Sequence, residues 1–396
     1  MTESFLPYDV AVVGGGPAGL ASAIALADAG ARVALVARRA AYADNRTTAL
    51  LGGSTDFLER LDVWRRCAGQ SAALTTMRLV DDTARLIRAP EVKFVSGEIG
   101  MEAFGYNIAN RDLTAALESR ADELPGLSRI EGDADTVRTG DSDVVIHTTQ
   151  GTSLSARLVV AADGRQSLCR DAAGIEVKRK PLGQSALTFN LALGRPHRNA
   201  STEFHTPFGP CVFVPLPDQR CSVVWVSKPK EAERLMALSD DDLAAAVEKQ
   251  SHSIFGRVTV EPGRSLFPLA IETPNKVAKN RVVLVGEAAH VVPPIGAQGL
   301  NMGLRDADDI ARIVSDAMRS AQDPGAEAVL GQFERARRSD IASRTFAIDM
   351  ANRSLLSELL PVQAVRSVGM QLIGAIAPLR RLAMREGMSP SRRRSS

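Results

Sequence analysis

Three short stretches carry residues whose types and spacing could do chemistry. The first is GGGPAG, in which Gly14, Gly16 and Gly19 form G-x-G-x-x-G. The first glycine permits a tight turn, the second lets backbone approach a pyrophosphate, and the third lets a helix pack close to a strand. Ala18 stands in the first turn of the helix that follows, where free N–H groups and a partial positive charge favour phosphate. The second stretch, ADGRQSLCR, presents Asp163 and Gly164, then Arg165, Ser167 and Arg170. An Asp-Gly pair alone marks a turn, and it gains meaning only beside the glycine motif. The third, VGEAAHVVPPIGAQGLNMGLRDA, holds Gly286, Glu287, His290, Pro294, Gly296, Gly299, Leu300 and Asn301.

Other chemistries find little support. Cys67, Cys169, Cys211 and Cys221 form no C-x-x-C, and the five histidines make no metal-ligand spacing. No Ser-His-Asp or Cys-His set is legible. His290, in a loop after a strand, is a weak candidate for a catalytic base, and a structural role suits it better. An acid that would hold ribose hydroxyls is missing from the end of the second strand, where Ala37 and Arg38 stand instead. Either another residue makes that contact or Arg38 does, and an arginine here also leaves an NADP site open. A net charge of +2 and 4% aromatic residues argue against a nucleic-acid surface.

The elements that must position these residues follow from patterning. Tyr8–Val13 reads as a buried strand, the next residues as an Ala-rich helix ending near Gly30, and Arg32–Ala37 as a second strand: a βαβ unit. Residues 40–53 look irregular. Helices are expected over Thr55–Arg66, Asn110–Asp122, Ser239–Ser251 (opened by a Ser-x-x-Asp cap) and Leu300–Arg319. Asp143–Thr149 and Leu154–Ala161 alternate like paired strands. Gly209–Val226 reads as a hairpin turning at Pro217 and Asp218, and Arg281–Val285 as a third buried strand. Between Leu355 and Ile376 apolar residues recur at helical spacing, with Pro361 as a break, and an arginine-rich tail follows.

Taken in order, GGGPAG, ADGRQSLCR and VGEAAHVVPPIGAQGLNMGLRDA resemble the FAD-dependent aromatic hydroxylases of the para-hydroxybenzoate hydroxylase fold. DNRTTALL (Asp44–Leu51), YNIANRDL (Tyr106–Leu113) and the C-terminal amphipathic segment are most similar to the ubiquinone-biosynthesis hydroxylases, which act on polyprenyl-phenols. The resemblance implies a bound FAD, its pyrophosphate at Gly14, Gly16, Ala18 and Gly19. It places Arg46 and Arg111 near the cofactor and ties Asp163-Gly164 to FAD and NAD(P)H use. Gly286-Glu287 would face the ribityl chain or ribose, a Glu standing where Asp is usual. Pro294, Gly296, Gly299, Leu300 and Asn301 would pass the isoalloxazine edge, with GAQG in place of the more usual AGQG. It further implies transient reduction by NAD(P)H, reaction with O₂ through a flavin C4a-hydroperoxide, and hydroxylation of a phenolic ring. An isoprenoid double-bond reductase of the same fold and a non-catalytic flavin-binding scaffold are the alternatives; no W-x-W-x-I-P segment supports a halogenase.

The expected fold class is α/β: a Rossmann-like FAD domain interleaved with a smaller antiparallel-sheet substrate domain. The FAD domain is expected at 1–70, 95–178 and 266–350, the substrate domain at 71–94 and 179–265, and C-terminal amphipathic helices with a basic tail at 351–396. MTESFLPYDV lacks the marks of a signal peptide. A cytoplasmic enzyme is expected, peripheral at the inner face of the membrane, with a polyprenyl-phenol and O₂ as small-molecule partners, association with other quinone-biosynthesis enzymes, and no nucleic acid.

Overall fold

The computed structural model describes residues 6–39, 45–83, 88–357 and 359–388. One sheet comprises β1 (Leu6–Val13), β2 (Val33–Val36), β8 (Leu127–Ile130), β9 (Ala134–Thr139), β10 (Val144–Thr148), β11 (Ser153–Ala161), β18 (Ala278–Lys279) and β19 (Val282–Leu284). Its path is β18-β19-β11-β1-β2-β8, with β10 and β9 added beside β11. β1, β2, β8, β11 and β19 run parallel. The Val, Ala and Leu runs of β1, β2, β11 and β19 are buried on both faces, as a parallel sheet under helices requires. α1 (Pro17–Asp28) packs on α4 (Asn110–Asp122) and on α8 (Gln298–Arg319), which also meets α9 (Glu327–Leu356). The chain winds outward from β1 in both directions. The switch point therefore falls between β1 and β11, beyond whose C-terminal ends Gly14 and Asp163 emerge.

A second, mostly antiparallel sheet holds β5 (Thr76–Asp81), β6 (Val92–Val95), β12 (Val177–Leu193), β13 (Ala200–Thr206), β14 (Gly209–Leu216), β15 (Arg220–Ser227), β16 (Val258–Val260) and β17 (Ser265–Pro274). The β14–β15 hairpin turns where Asp218 and Gln219 adopt left-handed φ of 61° and 54°. α6 (Pro229–Met236) and α7 (Asp240–Gln250) cover one face, closing a core of Leu187, Phe189, Phe213, Val223, Leu243 and Val247. Trp225 belongs to that core, so it packs under the helices. Ser239 caps α7 as its spacing predicts, accepting from Asp242 N at 3.1 Å.

Between the two sheets lies a three-stranded one: β3 (Thr47–Leu51), β7 (Gly105–Ala109) and β4 (Ser71–Ala73), in the order β3-β7-β4. The irregular reading of 40–53 is therefore wrong at Thr47–Leu51. Gly105 makes the pairing feasible, since a Cβ there would lie 2.0 Å from Leu50 O. The single helix expected over Thr55–Arg66 is two, α2 (Gly52–Arg60) and α3 (Trp64–Cys67), because Asp62 takes a left-handed φ of 61°. Arg66 Nη2 meets the Asp62 carboxylate at 2.6 Å and staples the turn. A short α5 (Leu168–Ala172) follows β11, and the chain ends in α10 (Leu360–Ala375) and α11 (Ala377–Met388). The expected C-terminal break is real, with Pro361 in the first turn of α10; Arg392, Arg393 and Arg394 lie outside the described residues. All four cysteines are free and buried, and burial pushes the Cys67 thiol up to about 11.

Candidate active site

The glycine motif works by contact distance. Gly14 has φ of 114°, and a Cβ on it would sit 2.2 Å from Ala162 O; one on Gly19 would sit 2.1 Å from Gly14 O. These two glycines fuse the β1 turn, α1 and the end of β11. A Cβ on Gly16 meets nothing within 4 Å, so backbone there fronts open space. Gly16 is also the N-cap of α1, with no capping side chain and no acid in the first turn. The Ala18 methyl is used differently: built Cβ atoms on Gly286 and Gly303 would lie 3.2 and 3.1 Å from it, so it seats α1 against the third motif.

The second motif docks onto the first at Ala162. Asp163 Oδ2 accepts from Cys169 N at 3.1 Å, while its buried Oδ1 has no partner among the described residues. Gly164 follows with φ of 80°. Ser167 caps α5 by accepting from Arg170 N at 3.0 Å. The buried Arg170 guanidinium donates to Arg165 O at 3.1 Å and Ala288 O at 3.4 Å, tying the second motif to the third.

The third motif is wired by buried charge. Gly286, at φ of 62°, donates its N–H to Asp306 Oδ2 at 3.0 Å. His290 Nε2 lies 2.7 Å from the same oxygen, and Arg337 Nε reaches Asp306 Oδ1 at 2.7 Å. Burial works against the Asp306 charge, yet His290, Arg337 and the Gly286 N–H outweigh it and hold the carboxyl down at about 2. Arg337 also meets Asp309 and Asp340; Asp340 meets Arg344, whose Nη1 donates to Gln298 Oε1 at 2.6 Å. One network thus spans from the Gly286 turn to the start of α8. His290 is 1% exposed and committed to this network, which is a positioning geometry. Glu287 is exposed and makes no hydrogen bond or ion pair with another described residue. Sequence reasoning did not assign Asp306 or Arg337 any role. The available signal was an acid at helical spacing between the buried Met302 and Ile310.

At the α8 entrance Gly296 and Ala297 both take left-handed φ, 64° and 54°. The GAQG order thus puts a methyl-bearing residue in a conformation that suits glycine. Ala297 is the N-cap of α8 and supplies no side-chain cap; the first turn holds no acid, and a Cβ on Gly299 would meet nothing within 4 Å. Pro294 is half-buried in the loop, and Leu300 packs on the main core. Asn301 differs from expectation: its fully buried side chain accepts from Leu51 N at 2.9 Å and donates to Ala49 O at 2.8 Å and Ala297 O at 2.5 Å. It joins α8 to β3 and has no reach left for a ligand.

The three arginines separate into two groups. Arg38 is exposed and pairs with Asp133 at 2.6 Å. Arg46 and Arg111 come together at one end of the β3–β7 ladder, where Asn110 N donates to Arg46 O at 2.9 Å, and both side chains are exposed. Asp44 lies outside the described residues. A 340 Å³ cavity opens beside this sheet, lined by Gly52, Asp56, Trp64, Met101 and Tyr106, with Tyr106 tilted on Trp64 at 5.3 Å. The glycine motif does not line it.

Two uncapped helix N-termini and the open Gly16 backbone make a donor set and cradle that fit a phosphate, and the orphaned Asp163 Oδ1 is an acceptor suited to a hydroxyl of the same nucleotide. A family model described as FAD binding domain matches residues 7–345. Ubiquinone hydroxylase UbiL of Rhodospirillum rubrum is 32% identical, with 96% of this chain and 89% of that protein covered. The chain belongs to the FAD-dependent aromatic hydroxylases. It is an FAD-dependent monooxygenase, and the 3-demethoxyubiquinol 3-hydroxylase of Escherichia coli, 27% identical over 96% of this chain and 98% of its own, is another relative. The fold of this hydroxylase superposes on p-nitrophenol 4-monooxygenase PnpA from Pseudomonas putida with TM-score 0.80, at 19% identity, over 98% of this chain and 100% of that one.

Proposed function

We propose that this monooxygenase hydroxylates the ring of a polyprenylated phenol in ubiquinone biosynthesis, with NAD(P)H as a transient reductant. The likeness to a ubiquinone hydroxylase over nearly the whole chain is the observation that carries this reading. Bound FAD supplies hydride acceptance and oxygen activation; the polypeptide supplies position, charge and water exclusion. The backbone of Gly14, Gly16, Ala18 and Gly19 would hold the pyrophosphate. Arg38, Arg46, Arg111, Asp163 and Gly164 would line the remainder of the cofactor, and Glu287, without a partner among the described residues, would reach a ribityl or ribose hydroxyl. The loop from Pro294 to Leu300 would carry backbone N–H groups, with the positive end of α8, to the ring's anionic edge, worth about 0.3–2 kcal/mol. Asn301 and His290 act one step back, holding that loop and the Gly286 turn.

The substrate domain is assigned to the second sheet. Its face opposite α6 and α7 offers Ala186, Val224, Val226, Phe267 and Leu269 as an apolar lining for an isoprenoid tail. A substrate with such a tail resides in lipid, so the enzyme works at the inner face of the membrane, beside other enzymes of the same route. The test is deletion of the gene with mass spectrometry of quinone intermediates, alongside oxygen uptake by purified protein. Accumulation of an unhydroxylated polyprenyl-phenol and phenol-stimulated NAD(P)H oxidation are expected. FAD binding without any phenol-stimulated oxidation would overturn the hydroxylase reading in favour of a scaffold.

A further inference from the structure

The C-terminal helices are docked inside out. On α10, Gln363, Ser367, Gln371 and Gly374 share one face by helical spacing, and that polar face meets the protein. Gln363 is 4% exposed; Ser367 Oγ donates to Arg88 O at 3.0 Å; Ser367 and Gln371 line a cavity shared with Val80 and Glu91; a Cβ on Gly374 would lie 3.6 Å from Val92 Cγ2. The opposite face is apolar and open to solvent: Val365 is 74% exposed, Val368 54%, Leu372 45% and Ile376 45%. α11 continues it with Leu379 and Leu382, both exposed. α11 is itself anchored by Arg380, which donates to Glu98 at 2.8 Å and to Gly374 O at 2.6 Å, and by the buried Met384. A soluble surface helix buries its apolar stripe and wets its polar one; here the order is reversed.

Charge identifies what covers the stripe. Residues 359–396 contain seven arginines and one acid, Glu386. Arg381 and Arg385 are exposed beside the apolar face and pair with no described acid. A second copy of the chain would set this cationic patch against itself across a two-fold axis, which like charge opposes. Among the described residues no single helix is long and apolar enough to cross a membrane, and α10 and α11 meet at a bend of 102°. We propose that α10 and α11 form a docking surface for an anionic phospholipid bilayer, lying in its interface with Val365, Val368, Leu372, Ile376 and Leu382 in the acyl boundary and Arg381 and Arg385 at the headgroups. This deepens the membrane location proposed above.

The experiment sediments full-length, FAD-loaded protein with phosphatidylcholine vesicles, with or without phosphatidylglycerol. Neither phenol nor turnover is involved, so the surface can fail while the hydroxylase reading stands, and the reverse. Binding to the phosphatidylglycerol vesicles is expected to be at least ~10-fold tighter and to weaken with salt. Arg381→Glu with Arg385→Glu should lose roughly ten-fold or more of that affinity. Val365→Glu with Val368→Glu should abolish binding while leaving flavin content and thermal melting unchanged. Absence of binding to anionic vesicles at low salt overturns the proposal. So does lipid-free, concentration-dependent self-association that the Val365→Glu, Val368→Glu protein loses, since the occupant would then be a second copy.

Discussion

The two walls of the proposed flavin site are built by opposite means. The wall at Gly14–Gly19 holds its shape through close contact, with missing side chains as the active ingredient. The wall at Gly286–Asn301 holds its shape through buried charge, in which Asp306, His290 and Arg337 pin one end and Arg344 and Asn301 the other. The contact-built wall fails by steric overlap and is indifferent to pH. The charge-built wall fails when a proton arrives or a partner is removed.

The largest expected effect separates two glycines that stand two positions apart in the chain. Gly14→Val drives a side chain into Ala162 O, and the fold should lose more than about 3 kcal/mol, read as loss of soluble protein. Gly16→Leu projects into open space, so the apoprotein should melt like wild type but purify colourless. A yellow, fully loaded Gly16→Leu protein would end the cofactor assignment of that loop.

Next comes Asp306→Asn, which leaves Arg337 and His290 without their shared anion. A loss of about 3–5 kcal/mol is expected from chemical denaturation. The acid limb sharpens the contrast. The Asp306 carboxyl is lowered to about 2, below its unfolded value, so its contribution is complete above the ordinary carboxylate range and disappears as pH falls through about 2. The Asn variant should show a shallower acid limb than wild type, whereas variants in the glycine loop should keep the wild-type slope.

Asn301→Ala removes three hydrogen bonds and orphans Leu51 N and Ala49 O, at a cost of about 2–3 kcal/mol. Flavin affinity should fall with it although no ligand contact is deleted; an unchanged affinity would detach β3 from the site. The smallest effect runs the other way. Ala297→Gly relieves a left-handed alanine at φ of 54° and should stabilise the protein by about 0.5–1 kcal/mol, visible as a modest rise in Tm.

This contrast also explains what the sequence made legible. Close contact depends on residue type at fixed spacing, so Gly14, Gly16 and Gly19 could be read directly, as could the βαβ unit, the 209–226 hairpin and the helix at Asn110–Asp122. Buried charge depends on partners far apart in the chain: Arg337 lies 31 residues from Asp306, and Asn301 lies 250 from Leu51. No window of sequence contains both members. β3 was missed for a related reason, because TTALL pairs with β7 nearly sixty residues later and shows no alternation of its own. The split between α2 and α3 turned on one left-handed aspartate, which a helical pattern does not announce.

β3 has a mechanical consequence. Before its first residue, Asn45 donates to Pro262 O and accepts from Asn190, and Thr47 Oγ1 meets Ser222 Oγ at 2.7 Å, so this end is fastened to the second sheet. Its other end is fastened by Asn301 to the first turn of α8. Five residues of extended chain have almost no stretch in them. The strand is a tie rod: a shift of the second sheet relative to α8 must either shear these bonds or be transmitted, nearly undiminished in length, to the loop at Gly296–Ala297.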